Sequence, residues 1–134
     1  EDEVYYMYQN NENEILFYVL NKGVYSLNLR DLSISKEMMD MFPPDAQIRA
    51  MAKDVQGNIW IAEDELSCYN PKTKKLSRSF STNQDGNTRF MLTQDLLAYG
   101  SSMLVGGRTS GVWSFPYHPN NAAHYFKGNL ILMN

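Results

Sequence analysis

The residues of this 134-residue chain that could do chemistry are two histidines, one cysteine and several polar loops, and their spacing decides how far each can go. His118 and His124 stand six positions apart with no cysteine or carboxylate beside them, so they do not form the compact ligand set that a zinc ion requires, and no metal site is expected. Asn83-Gln84-Asp85-Gly86-Asn87 opens like a calcium loop, but Leu92 stands where a bidentate glutamate would close it, and a polar turn is the better reading. Cys68 sits in an apolar run without a basic neighbour to stabilise a thiolate, which reads as an inert core thiol. No Gly-rich phosphate loop, nucleophile elbow or paired-carboxylate motif is present, so neither catalysis nor a cofactor is expected of this chain. Recognition remains. Arg108, in Gly107-Arg108-Thr109-Ser110, has the planar fork that fits a carboxylate or sulfate, although a solvated loop arginine would look the same. Asp64, in Glu63-Asp64-Glu65, is the second candidate for ligand contact. Trp60 and Trp113 have rings able to stack on a sugar, but both lie in strand-like apolar runs and are expected in the core with Ile59 and Ile61.

Positioning those loops falls to a pattern that recurs about every 44 residues. Ile15-Leu16-Phe17-Tyr18, Asn58-Ile59-Trp60-Ile61 and Met103-Leu104-Val105-Gly106 are in step, each followed by a second apolar run at Gly23 to Asn28, Leu66 to Asn70 and Gly111 to Phe115. Ahead of the first two, Val4 to Met7 and Ile48 to Met51 keep the same offset. A repeat of about 40–50 residues carrying several short strands is the sequence signature of propeller blades. The expectation is therefore an all-β fold: a β-propeller fragment of about three four-stranded antiparallel blades, approximately residues 4–38, 48–82 and 90–128, with a fourth repeat beginning at 129–134. Closed propellers use about 4–8 blades, so the chain reads as part of a larger protein whose remaining blades are its partners.

The middle unit is the easiest to follow. Ile48 to Ala52 is a first strand, and Asp54-Val55-Gln56-Gly57-Asn58 supplies turn chemistry. Asn58 to Ala62 is apolar without alternation, as a strand buried on both faces should be. Leu66 to Tyr69 is the third strand, Asn70-Pro71-Lys72-Thr73 a turn, and Lys75 to Phe80 a half-exposed outer strand. Between the first two units, Met38, Met39 and Met41 hint at a helix that Pro43-Pro44 would stop, and Ser35 to Phe42 is read as a turn or loop crossing between blades. In the third unit Gly100 to Ser102 is a hairpin, Tyr117 to Asn121 a long turn and Ala123 to Phe126 the last strand.

Composition sets outer bounds. At 43% hydrophobic and 13% aromatic residues the chain can build a packed core. A net charge of −3, from 12 basic and 15 acidic residues, offers no basic footprint for nucleic acid. A single cysteine excludes an intramolecular disulfide and leaves the redox compartment open. Uncovered sheet faces and edges in an unclosed array invite self-association or homodimer formation.

The stretch Asp54-Val55-Gln56-Gly57-Asn58-Ile59-Trp60-Ile61-Ala62, then Leu66-Ser67-Cys68-Tyr69-Asn70-Pro71-Lys72-Thr73, resembles the two-component regulator propeller repeat. The outer units match in part. Lys22-Gly23-Val24-Tyr25 and Ser110-Gly111-Val112-Trp113 keep a Gly-apolar start, while Leu16 and Leu104 replace the strand tryptophan. The resemblance implies a non-catalytic sensor: part of the periplasmic propeller of a hybrid two-component histidine kinase, detecting glycan-derived oligosaccharides. The alternatives are a fragment of a propeller polysaccharide lyase or glycosidase and a protein-docking propeller. In propellers the loops joining second and third strands commonly line one face, here Asn21-Lys22, Glu63-Asp64-Glu65 and Gly107 to Ser110.

Overall fold

The computed structural model describes residues 3–63, 66–78, 93–107, 111–116 and 129–132. Among them the secondary structure is strand and turn, with no helix. Twelve strands follow in chain order: β1 Val4–Asn11, β2 Glu14–Val19, β3 Gly23–Asn28, β4 Ile34–Met39, β5 Ala50–Lys53, β6 Ile59–Ala62, β7 Leu66–Asn70, β8 Lys75–Arg78, β9 Thr93–Tyr99, β10 Ser102–Gly107, β11 Gly111–Pro116 and β12 Asn129–Leu132. They form three antiparallel four-stranded sheets in which every strand pairs with its neighbours in sequence: β1-β2-β3-β4, β5-β6-β7-β8 and β9-β10-β11-β12. The all-β expectation of three such units holds at this level.

Two of the sequence assignments are corrected. Residues Ser35 to Phe42 are not a crossing turn, because Ile34–Met39 is the fourth strand of the first sheet, with Val24 opposite Met38 and Gly23 opposite Met39. The adjacent methionines obey the strand period: Met38 is buried at 2% exposure and Met39 stands out at 64%. A fourth repeat does not begin at 129–134 either. Asn129–Leu132 closes the third sheet instead, pairing Trp113 with Leu130 and Ser114 with Asn129. The fourth strand expected at Ala123 to Phe126 and the end of the one expected at Lys75 to Phe80 lie outside the described residues.

The turn between third and fourth strands is built alike in the first two sheets. The side-chain oxygen of Asn28 accepts from Arg30 N at 2.8 Å and its carbonyl from Leu32 N at 2.8 Å. Asn70 receives Lys72 N at 2.9 Å and Lys74 N at 2.8 Å in the same way. Leu32 and Lys74 close these turns in the left-handed region, at φ 61° and 58°. An asparagine side chain that satisfies the amide two residues on fixes such a turn locally, which is why it recurs where the rest of the sequence differs.

The chain divides into two compact units, Glu1–Gln47 and Ile48–Asn134. In the first, Leu16, Tyr18 and Val24 are buried on one face of the sheet. Phe42 meets the Tyr18 ring edge-on at 6.4 Å. The segment after β4 is held there by Asp40, which accepts from the Tyr18 hydroxyl at 2.9 Å and from Phe42 N at 3.1 Å. In the second unit β5 and β6 pack on β9, and the Trp60 and Phe115 rings lie 5.8 Å apart between the two sheets.

Candidate functional site

Among the described residues of the second unit, a dense polar arrangement is centred on Asp54, at the turn between β5 and β6. Its Oδ1 accepts from Gln56 N and Asn58 N, each at 2.9 Å, and its Oδ2 accepts from Asn58 Nδ2 and Trp60 Nε1, each at 3.0 Å. The backbone closes the same turn through Gly57 N to Asp54 O and Asp54 N to Asn58 O, both 3.0 Å, with Gly57 at φ 83°. A carboxylate accepting four donors in this geometry fixes the hairpin and orients the indole at once. Chemically the arrangement is saturated: the four bonds occupy both oxygens, and Trp60 is 2% exposed. Trp60 is therefore a core residue, with Ile59 and Ile61 at 0% and Trp113 at 8%. The first sheet carries a counterpart with donor and acceptor exchanged, since Asn10 Nδ2 donates to Glu14 Oε1 at 3.0 Å at positions 44 residues earlier.

Cys68, the cross-strand partner of Trp60, is buried. Burial first, and the Asp54 carboxylate second, push its thiol far above the ordinary range, so it has no thiolate with which to attack or ligate at neutral pH. Ser67, the residue before it, is fully buried, and its hydroxyl has no hydrogen-bond partner among the described residues.

The loops joining second and third strands are described in part. Asn21-Lys22 is an exposed turn closed by Lys22 N to Val19 O at 3.0 Å, with Asn21 at φ 64°. In the second sheet Glu63 is buried at 6% exposure where β6 ends. Its carbonyl accepts from Arg49 Nη1 at 2.7 Å, and Arg49 N donates to Ala62 O at 2.7 Å. Arg49 thus braces the start of the β6–β7 connection. Sequence reasoning misses it because a lone arginine ahead of a strand carries no pattern. Asp64 and Arg108, the two candidate ligand contacts, lie outside the described residues, as do His118, His124 and Asn83 to Asn87.

Neither a family model nor a curated protein matches the chain. Solved structures share its fold. The N-terminal domain of Nup159 matches over 89% of this chain and 29% of its own, at 15% identity and a TM-score of 0.50. A B. thetaiotaomicron extracellular domain, described as that of a putative hybrid two-component system, matches over 98% of this chain and 17% of its own, at 18% identity and a TM-score of 0.56. The chain therefore spans less than a third of the length of either structure.

Proposed function

We propose that the chain is part of an extracytoplasmic β-propeller of a hybrid two-component sensor, and that this region reads a glycan-derived oligosaccharide without converting it. The observation that carries the reading is the fold shared, over 98% of the chain, with a two-component extracellular domain. The Asp54 turn supports it independently. The Asp-x-x-Gly-Asn-x-Trp string that resembles the two-component regulator repeat has a structural task for each of its defining residues: acceptor, left-handed turn, donor and anchored indole. Non-catalytic action is supported by a saturated carboxylate at Asp54 and a thiol held protonated at Cys68. In this reading the protein works in the periplasm, and the sheets to either side of these three belong to the same propeller.

The test is calorimetric titration of the parent protein's extracytoplasmic region against a panel of oligosaccharides, with chromatography of the sugars afterwards. Saturable binding with unchanged sugars is expected. Cleaved or eliminated products would make it a lyase or glycosidase, and the absence of binding by any oligosaccharide would turn the reading towards protein docking.

A further inference from the structure

Asp54, a carboxylate whose work is structural, has both oxygens filled, by four donors. Asp40 is filled by half. Its Oδ1 accepts from the Tyr18 hydroxyl at 2.9 Å and from Phe42 N at 3.1 Å, and among the described residues no donor reaches Oδ2. The residue is half-buried, and Oδ2 still reaches solvent. Tyr18 is 1% exposed on β2, so the bond to its hydroxyl fixes the carboxylate against a packed strand and sets where the open oxygen stands. Asp31 also gives one oxygen to two donors, Ser33 N and Oγ, but it stands exposed on a turn with no packed strand to direct the other.

Asp40 lies at the end of the first sheet that carries the β2–β3 turn. A Cβ on Gly23 would come within 2.9 Å of Asp40 N, so the missing side chain lets the chain after β4 pass close to that turn. The turn residues before it, Asn21 and Lys22, are exposed. Lys22 N to Val19 O, at 3.0 Å, closes the turn, and the Asn21 side chain has no partner among the described residues. An anchored acceptor and an exposed amide thus share one end of one sheet. A carboxylate oxygen in this state fits a hydroxyl, because an O–H···O⁻ bond is charge-assisted, about 2.5–2.7 Å long and roughly twice as strong as a neutral one. The same charge repels a carboxylate or a sulfate. Since Tyr18 and Phe42 orient the group before a ligand arrives, little ordering offsets the gain.

We propose that Asp40 Oδ2 is a ligand contact of the sensor and accepts a hydroxyl of a neutral oligosaccharide, with the Asn21 amide at the same end of the sheet. This rests on the sensing reading above and adds to it a residue and a class of sugar.

The experiment is calorimetric titration of the parent protein's extracytoplasmic region, wild type and Asp40→Asn, with tetrasaccharides of glucose, xylose, mannose and galactose and with a tetrasaccharide of galacturonate. Asparagine keeps an oxygen for Tyr18 and Phe42 and puts an amide donor where the open acceptor stood, so a purely structural role survives the change. The wild type is expected to bind at least one neutral tetrasaccharide, and Asp40→Asn to bind it at least about tenfold more weakly with an unchanged midpoint in urea. Equal affinity of the two proteins, or binding of the galacturonate sugar alone, overturns the assignment of Asp40 and leaves the sensing reading standing. A wild type that binds none of these sugars overturns both. If Asp40→Asn lowers the midpoint, Asp40→Ser, whose hydroxyl can accept from Phe42 N, takes its place in the same comparison.

Discussion

A single carboxylate, that of Asp54, ties a turn amide, a turn side chain and an indole from the following strand. Its removal takes the Asp54 acceptor from Asn58 N and Trp60 Nε1 in a region where Asn58 is 3% and Trp60 2% exposed, and loss of hydrogen bonds to a charged group there costs about 1.5–3 kcal/mol each. Asp54→Ala is therefore expected to lower stability by roughly 3 kcal/mol in urea unfolding. Trp60→Ala should cost about 3–5 kcal/mol by emptying the space beside Phe115. Because the two residues share a bond, the double variant should fall short of the sum by on the order of 1 kcal/mol, and strict additivity would deny the coupling. Cys68 gives a second test at this scale. Its thiol stays protonated in the folded chain well above the pH at which an unfolded cysteine ionises, near about 8.5. As pH rises past that value the unfolded chain releases a proton that the folded chain keeps, so this residue's contribution is intact below it and declines above it. The stability of wild type relative to Cys68→Ala should fall from about pH 8.5 upward, with a slope approaching about 1.4 kcal/mol per pH unit. A pH-independent difference between the two proteins would mean that the thiol ionises in place.

At the scale of elements, two glycines with positive φ separate backbone strain from collision. Gly57 stands at φ 83° with open space where a methyl group would project, so Gly57→Ala should cost only the left-handed strain, about 1–2 kcal/mol. Gly23 stands at φ 122° where a Cβ would strike the Met38 carbonyl oxygen across the β3–β4 pairing. Gly23→Ala should therefore cost more than about 3 kcal/mol, and equal midpoints for the two variants in urea would refute the distinction. The same elements differ in how far their residues announce them. The strand at Ile59–Ala62 is legible as an unbroken apolar run between turn residues, because both its faces are buried, and Leu66–Asn70 is legible by its place after it in the repeat. Fourth strands are harder to see. In Ile34–Met39 the first three residues are exposed, so the apolar face dwindles to Met38 and the pattern loses its period. Asn129–Leu132 reads equally well as the start of a new repeat, because pairing partners are not written in a four-residue run. The Asp54 turn is legible as a turn, whereas its bond to the indole six residues on requires the hairpin to be folded first.

For the whole molecule, the decisive fact is that its sheets are local and its proposed site is not. Every strand pairs with a sequence neighbour, so each sheet can form from its own stretch of chain. A ligand site on a propeller face draws loops from several blades, and this chain spans 17% of the B. thetaiotaomicron extracellular domain whose fold it shares. The β6–β7 connection illustrates the consequence. Arg49 braces its first residue through the Glu63 carbonyl, which holds the loop's start, but one braced loop supplies few contacts and leaves an oligosaccharide's other hydroxyls to water. Affinity in such a site depends on several loops held in mutual register before the ligand arrives, since ordering them afterwards offsets much of the contact energy. The 134-residue chain should therefore bind any oligosaccharide recognised by the complete region at least about a hundredfold more weakly, close to about 3 kcal/mol. Parallel titrations of the two proteins with the same sugar decide it. Equal affinity would locate the whole site within these three sheets and their loops, and would make Arg49→Ala the first substitution to try for its loss.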